Sequence, residues 1–319
     1  MFKKISLMTV LFVLVLNLSA FAADLMTLIP ENIVFLSSLN LTKMLGMEEV
    51  KKQLEDSINK QSPDQKKIYD EFLAKTGFEV TKDLKEVIFF ATKLDSQGGK
   101  PEGAAVFSGN FQVEKLIAFV KESSEAGKSA IVEKFEGFDA IKTKNENEGL
   151  AVFIDKNTVV IGMPKDIKMV IDVKGGKAKS VSGNAAFTSL LKKADTAASI
   201  WGVGQMPANT LEHAKNAPNA SFPGISLFTF AFNYSSDISF SFLAETAKKE
   251  EAANMVAALN GMVVQIKAMA AKSPEAVGIV NMIKVEAVGN AVKVALNVPK
   301  DKFEELKKLI MTPPVSLQK

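Results

Sequence analysis

Short apolar runs alternate along this chain with stretches whose apolar residues recur every three or four positions. Residues 33–39 read as a buried strand opened by Pro30. Helical spacing follows at about 43–60 and 64–75, the second begun by Ser62-Pro63-Asp64 and ended by Gly77. Strands at 86–92 and 103–108 flank a turn-rich segment, 95–101. Val113, Leu116, Ile117 and Val120 mark a helix over 112–123. Four short strands come next, at about 131–135, 138–143, 149–154 and 158–162. Pro164 opens a helix reaching about Asp172, and the Gly175-Gly176 break precedes a short helix at 184–194.

The second half continues with a strand at 197–204 holding the only tryptophan, Trp201, and helical turns at 207–216. Residues 225–234 alternate strictly, with Phe228, Phe230, Phe232 and Tyr234 on one face and Ser226, Thr229, Ala231 and Asn233 between them. Ser235-Ser236-Asp237 turns this strand back into 238–244, where Ile238, Phe240 and Phe242 alternate likewise. A long helix at 247–271 follows, and Leu259, Met262, Val263, Ile266 and Met269 give it an apolar stripe. The simplest expectation is that this stripe buries Phe228, Phe230, Phe232, Phe240 and Phe242 as core. The alternative is that these five phenylalanines face a ligand. A hairpin of 284–288 and 291–298 turns at Gly289-Asn290, and Pro299 starts a last helix with Phe303, Leu306 and Ile310 inward.

Strand pairs joined by hairpins and interrupted by helices predict an α+β fold, with largely antiparallel sheets covered by helices. Each half runs strand, helix, strand pair, helix, strands, helix. The expected organisation is therefore two similar halves from a degenerate duplication, over 24–194 and 195–312, with a tail at 313–319.

The N-terminus carries the three parts of a signal peptide over 1–22: Lys3 and Lys4, an apolar run from Ile5 to Leu16, and Ala20-Phe21-Ala22 as the cleavage site. The run is too short for a spanning helix, which needs about 20 residues. The mature chain is expected to start at Ala23 or Asp24, without a transmembrane segment. No cysteine is available for lipid attachment, so the protein is expected to be bacterial, exported and unlipidated, in the periplasm or outside the cell. A cysteine-free chain uses no disulfides even in a compartment that permits them.

Of the chain's charged residues, 39 are basic and 36 acidic, and removal of Lys3 and Lys4 leaves 37 against 36. Every basic residue is lysine. Arginine is the usual fork for phosphates and base edges, so nucleic acid is not an expected partner.

The segment Leu28-Ile29-Pro30-Glu31-Asn32-Ile33-Val34-Phe35 resembles the opening of a loose family of exported bacterial proteins of unknown function. Gly77-Phe78-Glu79, Asp83-Leu84-Lys85-Glu86-Val87, Thr158-Val159-Val160-Ile161-Gly162 and Ser199-Ile200-Trp201-Gly202-Val203 are similar to it too. The resemblance covers about 28–204. It implies export and this architecture, and it supplies no catalytic residues.

Chemistry-bearing motifs are sparse. One histidine, His213, and no cysteine leave zinc, haem and thiolate clusters without their usual ligands. Residues 145–149 lack the spacing of a calcium loop. Ser57-Ile58-Asn59-Lys60, Ser189-Leu190-Leu191-Lys192, Ser182-Gly183-Asn184 and Lys75-Thr76-Gly77 imitate the elements of penicillin-recognising serine enzymes, but in the wrong chain order. Neither Gly98-Gly99-Lys100 nor Gly175-Gly176-Lys177 has phosphate-loop spacing. The reading is thus of no catalytic, metal or cofactor residues and of an exported, non-enzymatic binding or interaction module. Its partner is a protein or an apolar small molecule. One alternative is a carrier holding an apolar ligand between the 225–244 hairpin and the 247–271 helix; another is a carboxylate-based hydrolase.

Overall fold

The computed structural model describes residues 25–94, 102–123, 130–144, 149–206, 225–234, 237–272 and 274–302. The signal segment 1–22, the turn at 95–101, most of that at 145–149, the helical turns with His213, Ser235-Ser236, the helix through Phe303, Leu306 and Ile310, and the tail lie outside the described residues. Two compact units part between Ser189 and Leu190.

The first unit is an antiparallel sheet of β1 (Phe35–Asn40), β2 (Leu84–Lys93), β3 (Glu102–Gly109), β4 (Ala130–Phe135), β5 (Phe138–Thr143), β6 (Leu150–Asp155) and β7 (Thr158–Gly162). Their order across the sheet is β1-β2-β3-β7-β6-β5-β4. Four helices connect β1 to β2: α1 (Leu41–Leu45), α2 (Glu48–Asn59), α3 (Pro63–Thr76) and α4 (Val80–Asp83). α5 (Val113–Glu122) follows β3, α6 (Pro164–Lys174) follows β7, and α7 (Ala185–Leu191) comes last.

The ends of α3 follow from its residues. Ser62 and Gln65 form a capping box, Pro63 occupies the first turn, and Gly77 closes the helix in the left-handed region at φ 67°. The single helix expected over 43–60 is instead two. Asn40 caps α1 by accepting the Lys43 N–H, and Met47 is extended (φ −95°, ψ 123°), so the chain restarts as α2. Ile88, Val106, Val160, Val152 and Ala140 form one row across β2, β3, β7, β6 and β5, and each is fully buried. On the other face, Phe72 of α3 meets Phe119 of α5 edge-on, in a cluster with Val132 and Ile141. Burial on both faces explains why runs such as 87–91 are apolar throughout rather than alternating.

The second unit is an antiparallel sheet of β8 (Ile200–Gln205), β9 (Leu227–Tyr234), β10 (Asp237–Glu245), β11 (Lys284–Val288) and β12 (Ala291–Pro299). Its order is β8-β9-β10-β12-β11. α8 (Lys249–Met269) and α9 (Pro274–Val280) connect β10 to β11. The turn at Gly289-Asn290 is a two-residue hairpin with only its first residue at positive φ (64°), which requires glycine there.

Without the β4–β5 hairpin, the first unit has the same strand order as the second: first, second, third, fifth, fourth. A helix follows the third strand in both. Both fifth strands also run into the same tripeptide, Pro164-Lys165-Asp166 in one and Pro299-Lys300-Asp301 in the other. The architecture is α+β with this topology used twice.

One expectation is corrected. The hairpin of β9 and β10 forms in the predicted register, with Phe230 opposite Phe242 and Phe232 opposite Phe240. Its five phenylalanines, however, are only half-buried, while Thr229 and Ala231 on the other face are each 4% exposed. α8 does not bury them, because it lies over β11 and β12, with Ala252 and Met255 packed against Val292. Its stripe outruns that support: Met262, Ile266 and Met269 are 47%, 45% and 84% exposed.

Candidate functional site

The phenylalanine face is built by register. In an antiparallel pair, directly opposed residues project to the same side. Phe228 stands opposite Gly204 on β8 and Ala244 on β10, and Phe230 stands opposite Gly202 and Phe242. Two glycines on β8 therefore leave the rings of Phe228 and Phe230 without side chains beside them on that strand. The rings of Phe228 and Phe242 stack with centroids 6.0 Å apart and planes 26° from parallel. Phe232 sits nearer α9, in a cluster with Ile238, Ile279, Val298 and Tyr234. The result is an aromatic patch bounded by α8 over β11–β12 and by α9, with the buried glycines of β8 at its edge.

The first unit differs at the equivalent connection. Its link between the first two strands, residues 41–83, carries four helices, and one of these packs over the sheet with α5. The corresponding link in the second unit, residues 206–226, is about half as long.

The residues that imitate a penicillin-recognising enzyme have local structural partners. The Ser57 hydroxyl donates to the Gln53 carbonyl within α2. Thr76, fully buried, donates to the Phe72 carbonyl and accepts the Phe78 N–H. Asn184 accepts the Phe187 N–H at the start of α7 and donates to the Glu31 carbonyl. These are capping bonds, which such residue types favour.

Among titratable groups, Asp166 stands apart. It is 2% exposed in the first turn of α6, and burial pushes its carboxyl above the usual aspartate value, against the opposing pull of Lys165 and of the Gly103 N–H. Beside it on the surface, Lys165 is paired with Glu102, which holds the Glu102 carboxyl below its ordinary value. Burial also raises the Tyr69 phenol. Among the described residues no three of His, Cys, Asp and Glu come together as a metal site, and no helix is long and apolar enough to cross a membrane.

No signal in the sequence separated a buried phenylalanine face from a half-open one.

No family model and no curated protein matches the sequence. Two solved structures resemble it: crystal form I of TP0453, at 6% identity and a TM-score of 0.44, and crystal form III of TP0453, at 8% and 0.48. They cover 91% and 90% of this chain, and each matches over 99% of its own length. Likeness at this level assigns the chain to no family and bears on no function.

Proposed function

We propose that this protein is an exported, non-enzymatic binding protein whose second unit takes up an apolar ligand on the phenylalanine face. One observation carries the reading: Phe228, Phe230, Phe232, Phe240 and Phe242, five large apolar side chains of one hairpin face, are all half-buried rather than enclosed. Alternating strands normally turn their larger apolar residues to the core and their smaller polar ones to water. Here the phenylalanines fall in the same half-buried range as Asn233, Ser239 and Ser241 on the other face. Five half-exposed rings on one hairpin are the kind of apolar surface that marks a ligand or partner site. Small-molecule sites are mostly apolar, as this face is.

Export rests on the three-part N-terminal segment, and a mature start at Ala23 or Asp24 is its readout. Native mass spectrometry of the protein from its own host tests both parts. The reading expects a processed chain carrying bound apolar mass that solvent extraction removes. An unprocessed chain would contradict export, and a ligand-free mass with no uptake of added fatty acid would contradict the carrier.

A further inference from the structure

We propose a second binding site in the second unit, on the sheet face opposite the phenylalanines, for a small hydroxyl-rich anion such as a sugar acid. An open depression of about 450 Å³ lies there, within the range of about 300–1,000 Å³ usual for small-molecule sites. Register builds its floor. Ala231, Ser241 and Ala295 stand opposite one another across β9, β10 and β12, and the next row is Asn233, Ser239 and Asn297. Four of these six side chains are alanine or serine, so the middle of the sheet is low. Longer side chains rise around it, with Asn297 and Asp195 among its lining residues and Lys284 next to Ala295 on β11.

The polar groups there fall into two sets. Asp195 is already engaged: its carboxylate accepts the Asn233 amide at 3.1 Å and the Ala197 N–H at 3.1 Å. Lys293 pairs with Glu286 at 3.5 Å. Among the described residues, by contrast, the hydroxyls of Ser239 and Ser241 and the amide of Asn297 make no hydrogen bond, and Lys284 makes no ion pair. Hydroxyls and amides both donate and accept, as sugar hydroxyls do. One ammonium without a partner at the edge fits one carboxylate on the ligand. A polyanion does not match that set, since the lysines number two with one already paired; Phe240, Met282 and Leu296, which also line the depression, suit the apolar face of a sugar ring. This site shares only Phe240 with the aromatic patch, and the variants that test the two sites lie elsewhere, so either can fail alone.

Titration of ¹⁵N-labelled mature protein with D-glucuronate, D-glucose and acetate, followed by amide shifts, tests the proposal. Glucuronate is expected to bind with a Kd of ~1 mM or tighter, shifting the amides of β10 and β12 around Ser241 and Asn297. Glucose should bind at least tenfold more weakly, and acetate not measurably. Lys284→Gln should bring glucuronate down to the level of glucose. Ser241→Leu should fill the floor and abolish both, and Asn297→Leu replaces it if that variant does not fold. No shift at these amides with glucuronate, or glucuronate binding unchanged in Lys284→Gln, would overturn the proposal.

Discussion

Gly202 on β8 stands directly opposite Phe230 on β9, and the glycine is buried while the ring is half-buried. Phe230 thus keeps part of its ring accessible next to a closed strand, and this predicts an unusual order of mutational costs.

Phe230→Ala should be mild for a phenylalanine. Fully buried Phe→Ala changes cost about 3–5 kcal/mol, and the partial exposure of Phe230 brings this to about 2–3 kcal/mol. Thr229→Asp, one residue along, places a charge at a position 4% exposed and should cost about 3 kcal/mol or more. Urea melts of the two variants check this. A Phe230→Ala variant less stable than Thr229→Asp would return the phenylalanines to the core.

The exposed end of α8 makes a complementary prediction. Met269 is 84% exposed and Ile266 is 45% exposed, so Met269→Lys should stay within about 0.5 kcal/mol of the parent. Met255→Lys, at 1% exposure against Val292, should prevent folding of the second unit. Thermal melts distinguish them.

A turn in the first unit offers a stabilising change. Glu136 and Gly137 join β4 to β5 with φ of 50° and 88°, and Glu136 is the one non-glycine residue at positive φ among those described. That geometry suits Asn-Gly, while most side chains strain there. Glu136→Asn should stabilise by about 0.5–1 kcal/mol, and Glu136→Val should destabilise; denaturant midpoints read both.

Asp166 should act on stability through pH. Burial raises its native carboxyl above the ordinary value of 3.8, so the native state holds that proton more tightly than the unfolded chain. The stabilisation from protonation is complete below 3.8 and is lost as pH rises through the raised native value. At pH 7 the buried charge is therefore a cost, and Asp166→Asn should raise the melting temperature by ~1–4 °C. The gap should close as pH falls toward 3.8. A variant less stable than the parent at pH 7 and unchanged by acid would show that the charge itself is needed there.

Most strands and helices were legible because their signals are local. Period-two alternation marked β9 and β10, Ser62-Pro63 with Gly77 bounded α3, and Gly289-Asn290 announced its turn. α4 was missed, being four residues long and too short for a helical period, and α9 was missed as well. What β9 and β10 pack against is non-local. α8 has the right stripe for the phenylalanine face, yet the register of β10 with β12 sets β11–β12, not β9, beneath Ala252 and Met255. The polar depression was less visible still. Its floor comes from three strands, and Ser239, Ser241 and Ala295 carry no motif.

The central claim is that the phenylalanine face binds an apolar ligand, and a fluorescence titration of the mature protein with cis-parinaric acid tests it most directly. Trp201, the only tryptophan, is adjacent in sequence to Gly202 and serves as energy donor. The prediction is saturable transfer at one fatty acid per chain, weakened at least tenfold by Phe230→Ala, which removes the central ring, in a variant whose circular dichroism matches the parent. Absence of saturable transfer in the folded parent, or an unchanged affinity in folded Phe230→Ala, would contradict it.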